Sequence, residues 1–381
     1  MGEGGSKNGD LVGWSIAFGG PHMATPIFPK GRGAAVQPAN PYLSVHCEAD
    51  LEHVVDDDDY LAALGRPPTE YFSDESQSIV AENDSPDVGF RYSVNPYRGC
   101  AHGCSYCYAR PGHEYLGLSA GLDFETKVFV KFRAAELLRA FLARPSWRPE
   151  LIAFSGVTDC YQPAEREFKI TRSCVAVAAE CRQPIGIITK NALVTRDLDL
   201  LADLAAHNAV RVCLSITTLD AKLARAMEPR TSPPEARLRA IRELSAAGVP
   251  AALMIGPVIP GLNDSEIPAI MKAAREAGAR GANYVLLKLP TTVRDVFQEW
   301  LRRSYPYKVA RVESAIRSTR AGRLSDSQFG RRQRGAGNVA EMIADTFRVW
   351  HTKLGFSDVQ EPLNCEAFRP PTPTSGQLQL F

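Results

Sequence analysis

Asn95-Pro-Tyr-Arg-Gly-Cys-Ala-His-Gly-Cys-Ser-Tyr-Cys-Tyr-Ala-Arg110 sets three cysteines, Cys100, Cys104 and Cys107, at C-x3-C-x2-C spacing within eight residues. Gly99 and Gly103 stand among them and permit the sharp backbone turns that wrap three thiolates round one cuboidal iron–sulfur cluster. A ferredoxin-type run would place a fourth cysteine three residues on, followed by proline; here Arg110 and Pro111 occupy those positions. The loop therefore supplies three ligands and leaves one iron open to a chelating molecule. Zinc would also want a fourth ligand, and only His102 lies inside the loop.

Outward from this loop the chain alternates short apolar runs with longer amphipathic stretches. Strands are expected at Phe90–Val94, Leu151–Ser155, Ile185–Thr189, Arg211–Ile216, Ala251–Ile255 and Tyr284–Lys288. Their near-continuous apolarity suits parallel strands buried on both faces. Helices are expected at Lys131–Ala143, Glu165–Cys181, Asp197–His207, Pro233–Ala247 and Asp264–Ala277. Asp197 and Asp264 are expected N-caps, and Gly248 and Gly278 expected C′ residues. Six strand–helix units predict an α/β fold, a partial (β/α)6 TIM-type barrel, with its chemistry on loops after the strands' C-terminal ends. The cysteine loop follows the first strand directly.

Residues 1–88, rich in Gly, Pro, Asp and Ser, are expected to form a partly disordered N-terminal extension. Residues 89–290 are the expected core domain, 291–369 a helical C-terminal region, and 370–381 a flexible tail. Nothing at the N-terminus resembles a signal peptide, no apolar run is long enough to span a membrane, and nine cysteines do not suggest a disulfide framework. A cytoplasmic protein is expected. The net charge of +1 conceals segregation. From Glu48 to Asp87 there are thirteen acidic residues and one basic one; from Arg302 to Arg334 there are ten basic residues and two acidic ones. Either the two segments are solvated or folded together, or the basic segment meets nucleic-acid phosphates.

The three-cysteine spacing, its place after the first strand and the βα series resemble the radical SAM superfamily over about Gly89 to Pro290. That resemblance implies a [4Fe–4S] cluster on Cys100, Cys104 and Cys107. It further implies cleavage of S-adenosyl-L-methionine to a 5′-deoxyadenosyl radical, and an external electron donor such as flavodoxin or ferredoxin. Gly99–Tyr108, Ser155–Pro163, Ile188–Lys190, Ser215–Asp220, Glu228–Arg230 and Pro257–Asp264 resemble spore photoproduct lyase and its DNA repair photolyase-like bacterial relatives. By that resemblance Tyr106 packs near the adenine. Ser155, Gly156, Thr158 and Asp159 meet the methionine amino group, Lys190 its carboxylate, and Ser215 the ribose or carboxylate. Tyr106 has a plainer alternative as a core tyrosine, Lys190 as a surface lysine at a strand end, and Ser215 as a satisfied strand serine.

The lyase returns hydrogen to its product through a loop cysteine. Here Gly156 stands where that cysteine belongs and Cys160 follows about four residues later, so Cys160 is either a hydrogen donor paired with Tyr108 or a buried thiol. Cys174, Cys181 and Cys213 are expected in the core. The last residues, Gln377-Leu-Gln-Leu-Phe381, resemble the peptide by which bacterial replication and repair proteins dock on the sliding clamp. Together these features predict a lyase-like radical SAM enzyme acting on DNA. The alternatives are the same chemistry on a peptide, tRNA or metabolite, or a non-catalytic iron–sulfur redox sensor.

Overall fold

A computed structural model describes residues 29–44, 65, 67–357 and 361–371. Cys47, the run Asp56–Asp59 and the clamp-like peptide Gln377–Phe381 lie outside them.

The strands are β1 (Glu70–Ser73), β2 (Val80–Glu82), β3 (Tyr92–Val94), β4 (Tyr97–Arg98), β5 (Lys127–Val130), β6 (Ile152–Phe154), β7 (Ile185–Thr189), β8 (Val210–Ser215), β9 (Ala251–Val258) and β10 (Gly281–Leu286). The main sheet is ordered β10-β9-β8-β7-β6-β3-β2. Its six strands from β3 to β10 are mutually parallel and stand in chain order, while β2 pairs antiparallel with β3 at one edge. Parallel neighbours need a crossover between each pair, and the amphipathic segments supply it. The expected partial (β/α)6 barrel is therefore observed, with β2 and β10 as its two open edges. A second sheet, β1-β5-β4, sits at the base of the cysteine loop, because β4 begins three residues after β3 ends.

The crossover helices are α1 (Ala134–Leu142), α2 (Ile170–Cys181), α3 (Leu198–Ala206), α4 (Ala221–Met227), α5 (Pro234–Ala246) and α6 (Ile267–Glu276). Then follow α7 (Val293–Ser304), α8 (Val309–Ser318) and α9 (Asn338–Lys353). One continuous core joins strand residues such as Phe154, Ile187, Leu214 and Ile255 to Leu138, Val175, Leu201, Ile241 and Ile270 on the helices. Burying each such side chain stabilises the fold by about 1.5–3 kcal/mol.

Several local expectations need correction. The helix expected from Glu165 breaks at Lys169, whose φ is +53°, because the buried Glu165 carboxylate turns back to accept the N–H groups of Thr171 and Arg172 and so caps α2. Asp197 does not cap α3; it is drawn instead to Arg172, Arg196 and Tyr161. Asp264 does not cap α6 either, since its carboxylate accepts Gly261 N–H. Gly248 and Gly278 are left-handed C′ residues as expected. Helix α4 has no counterpart among the expected elements; Asp220 caps it through Lys222 and Leu223 N–H. Cys174 and Cys181 are buried, whereas Cys213 is half-buried on β8, alternating with the buried Val212 and Leu214.

The N-terminal extension is ordered where it meets the cysteine loop. Gly33 lies so close to Gly103 that a Cβ there would fall 1.8 Å from the Gly103 carbonyl oxygen. Only glycine fits such an approach.

Candidate cofactor site

Each turn of the cysteine loop has an identifiable cause. Gly99 (φ +76°) and Gly103 (φ +66°) take left-handed conformations that side chains resist. A Cβ on Gly103 would also meet the Glu125 carboxylate at 2.4 Å. The loop then closes through Cys100 N–H to the Phe124 carbonyl, Gly103 N–H to the Cys100 carbonyl and Cys107 N–H to the Cys104 carbonyl.

Arg110, at the position where a ferredoxin-type run carries its fourth cysteine, is fully buried beneath the loop. Its guanidinium donates to the carbonyls of Cys104, Ala120 and Gly121 and pairs with buried Glu125 at 2.5 Å. Glu125 accepts in turn from Gly33 and Ala34 N–H, and Arg32 donates to its backbone carbonyl. From the opposite side Gln162 grips the loop, accepting Ala101 N–H and donating to the Gly99 carbonyl.

The three thiols carry no disulfide, and Cys100 and Cys104 are buried while Cys107 is partly exposed. Burial raises all three pKa values, and the acids Asp159 near Cys100 and Glu228 near Cys104 add to the shift. Cys100 and Cys104 also feel Cys107, so the sulfurs are mutual neighbours. Without a cation these thiols stay protonated, and a bound metal would stabilise them as thiolates. Backbone N–H groups of His102 and Asp159 oppose that rise at Cys100, and that of Ala109 opposes it at Cys107. Such hydrogen bonds tune an iron–sulfur cluster. Ser105, inside the loop, has a buried hydroxyl without a partner among the described residues. No three His, Cys, Asp or Glu side chains among the described residues converge as a single-ion site. Three soft donors, two of them buried, spread over a loop with backbone N–H support, fit a cluster better than one zinc ion.

Beside the loop, the C-terminal ends of β7 and β8 bring Lys190 and Ser215 together. Lys190 Nζ donates to Ser215 Oγ at 2.9 Å and lies 5.9 Å from the Tyr106 ring centroid. Its charge also favours the thiolate forms of Cys104 and Cys107. Tyr106 is buried against an apolar cluster with Cys104, Leu223, Met227 and Trp300. Its hydroxyl donates to Glu228. Glu228 was not singled out as a site residue, yet it ties this corner together: it accepts from Tyr106, Thr217 and Arg237. Burial alone would raise Glu228, but the Arg237 and Lys190 charges and these hydrogen bonds hold it at about 2. The signal was its place after Ser215–Asp220, but no local pattern marks a carboxylate that a distant arginine will neutralise.

The loop after β6 keeps its expected place with different duties. Ser155, at φ +76°, accepts Cys160 N–H on its hydroxyl. The Gly156 carbonyl accepts the Tyr108 hydroxyl. The Thr158 hydroxyl donates to the Tyr97 carbonyl. Asp159 is occupied by Thr189, by the N–H groups of Tyr161 and Lys190, and by His102 at 3.4 Å. Burial would raise it, but the His102 ring and these donors hold it at about 2. Thr158 and Asp159 thus shape this loop through bonds to Tyr97, Tyr161, Thr189 and Lys190.

Cys160 is fully buried within the main core, and its carbonyl accepts from Thr171. Tyr108, by contrast, is exposed and lies under Lys288. No hydrogen bond joins Tyr108 to Cys160: Tyr108, on the cysteine loop, donates to the Gly156 carbonyl, while Cys160 is packed in the main core. Replacing Cys160 by Ala is therefore expected to leave S-adenosylmethionine cleavage and product ratios within about twofold of wild type, with a stability loss near 1 kcal/mol. Single-turnover product analysis and urea unfolding check this.

The radical SAM superfamily profile matches residues 94–274. A Mycobacterium tuberculosis protein of unassigned function is 41% identical over 230 residues, covering 60% of this chain and 68% of its own length. The chain belongs to the radical SAM superfamily, whose members hold a [4Fe–4S] cluster and S-adenosylmethionine. A Pseudomonas phage M6 protein named as a radical SAM Nalpha-GlyT isomerase is 23% identical over 322 residues, covering 82% of this chain and 61% of its own. Spore photoproduct lyase complexed with dinucleoside spore photoproduct shares the fold at TM-score 0.54 and 15% identity, over 75% of this chain and 80% of that one. No helix among the described residues is long and apolar enough to cross a membrane.

Proposed function

We propose that Cys100, Cys104 and Cys107 hold a [4Fe–4S] cluster with one iron open to S-adenosylmethionine, and that the enzyme acts on DNA. The observation that supports this reading is a set of three unpaired thiols, two of them buried, on one loop beside Lys190 and Ser215 at the strand ends. Such a cluster, once reduced, supplies the electron that cleaves S-adenosylmethionine to a 5′-deoxyadenosyl radical able to take hydrogen from a substrate.

The protein's own residues bind and orient. Lys190, steadied by Ser215, is placed to pair with the methionine carboxylate. Tyr106, fixed through Glu228, offers its ring to the adenine. Arg237 donates to the Ser215 carbonyl and to Glu228, so one guanidinium positions both partners. Asp159 holds His102 against the loop and fixes the backbone N–H of Lys190. An external flavodoxin or ferredoxin would deliver the electron, and the eight free described cysteines suit a reducing cytoplasm.

DNA as substrate is supported by the lyase fold neighbour, which was solved with a dinucleoside photoproduct; the phage relative is named an Nalpha-GlyT isomerase. One is a lyase and the other an isomerase, so bond scission and rearrangement are the two outcomes expected. The test is to incubate reduced, reconstituted protein and S-adenosylmethionine with UV-irradiated DNA, undamaged DNA, tRNA or peptide, then analyse the digested products. A new nucleoside only from DNA supports the reading, whereas turnover confined to tRNA or peptide would refute it.

The tail is proposed to recruit the enzyme to a replication sliding clamp, with Leu378, Leu380 and Phe381 filling an apolar pocket. Deleting Gln377–Phe381 is expected to abolish retention on an immobilised clamp while leaving cofactor cleavage unchanged. Equal retention of both forms would refute the docking.

A further inference from the structure

The two open edges of the barrel are joined by a contact that neither the cluster nor S-adenosylmethionine requires. The loop between β2 and β3 carries Asp87, and the basic segment lies against β10, where Leu286 N–H donates to the Gln333 carbonyl. Across the gap Asp87 pairs with Arg332 and accepts Gly330 N–H at 2.7 Å. Ser85 also contacts Arg332, and Gln333 donates to the Asp87 carbonyl. The Asp87 side chain is 6% exposed and that of Arg332 27%. Lys288 is close enough to feel both Arg332 and Asp87, as well as the cluster cysteine Cys107.

A carboxylate held by a backbone N–H and a guanidinium, with an ammonium nearby, occupies the place that suits a phosphate oxygen. The neighbouring cations are not equally free. Arg320 is pinned to the Arg331 and Leu287 carbonyls, Arg331 pairs with Asp326, and Arg334 lies over Tyr284. The same rim presents two exposed rings beneath cations: Tyr108, 48% exposed, under Lys288 at 4.5 Å, and Phe329, 55% exposed, under Arg332 at 4.4 Å. Aromatic faces interleaved with cations, beside an anion cradle, are what a nucleotide chain binds through stacking and phosphate contact.

We infer that Arg332, Gly330 N–H and Lys288 form a phosphodiester site on the rim of the cofactor chamber, held shut by Asp87 acting as an internal phosphate mimic. This rests on the nucleic-acid reading above and adds to it where the backbone binds and what guards that place. A DNA phosphate displaces Asp87, frees the strap between the two sheet edges, and lets adjoining bases reach Tyr108 and Phe329.

The test is fluorescence anisotropy of a short fluorescein-labelled DNA oligonucleotide, single-stranded and duplex, titrated with the reconstituted full chain at several salt concentrations. Asp87→Asn is expected to bind about 10-fold more tightly than wild type, since a like charge leaves the site. Arg332→Gln is expected to bind about 10-fold more weakly and to lower the slope of log affinity against log salt by about one. Far-UV circular dichroism and iron content, unchanged in both, establish that the fold and cluster are intact. Either variant matching wild type, where wild type binds, overturns the site and leaves the nucleic-acid reading standing. Failure of all three forms to bind overturns both.

Discussion

Cys104→Ala protein, reconstituted anaerobically with iron and sulfide, is expected to lack the broad visible absorption of an iron–sulfur cluster and to cleave no S-adenosylmethionine. The loss should be complete because the ligand set contains no spare. The fourth position along the loop is Arg110, committed to four backbone and side-chain partners, and His102 is held by Asp159 and Asn191. Cys100→Ala and Cys107→Ala should behave alike. Cys174→Ala and Cys160→Ala are the controls: both thiols are fully buried in the main core, so both variants should keep the cluster. Absorption and iron content measured across the five variants separate ligand from core cysteines. A full cluster in Cys104→Ala would remove the assignment.

The second large effect is expected at Arg110→Ala. Arg110 and Glu125 are each fully buried, and the pair lies directly under the cysteine loop. Removing the guanidinium strands the Glu125 carboxylate and deprives the Cys104, Ala120 and Gly121 carbonyls of their donor. Breaking a buried pair in this way costs about 3–5 kcal/mol. Urea unfolding should report a loss of that size, accompanied by poor cluster retention because the loop loses its floor. Lysine would not rescue it, since one ammonium cannot serve carbonyls on two segments as a planar fork does. A variant with wild-type stability would show that residues 32–34 and 125 hold the loop by themselves.

Most of the barrel is legible in the chain because its strands are buried on both faces and read as apolar runs; Ile185–Thr189 is recovered to the residue. Less legible were features fixed by distant partners. Asp197 has the composition of an N-cap, but two arginines and a tyrosine offered its carboxylate stronger hydrogen bonds. Glu165 lies inside an apparent helix, yet its buried carboxylate interrupts that helix to cap the next one. Strands β1, β4 and β5 are short and pair only through tertiary contacts, so no periodicity announces them.

Within the candidate site, spacing alone revealed the three cysteines, since a cluster constrains sequence locally. The assembly of Lys190, Ser215 and Tyr106 was reachable through the places of the first two at strand ends and of Tyr106 between cluster cysteines. Glu228 and Arg237 were not, because each acquires its role only when α5 packs its buried arginine against the end of β8. Cys160 illustrates the opposite hazard. Its neighbours in sequence lie on the cofactor loop, but its own side chain alternates into the core.

The most direct measurement is quantification of 5′-deoxyadenosine from the anaerobically reconstituted, dithionite-reduced protein with S-adenosylmethionine, in the presence and absence of UV-irradiated DNA. The account predicts about stoichiometric iron and sulfide for one cluster per chain, cleavage dependent on reduction, and a clear increase when DNA is added. A protein that carries the full cluster and yet releases no 5′-deoxyadenosine under any of these conditions would contradict it.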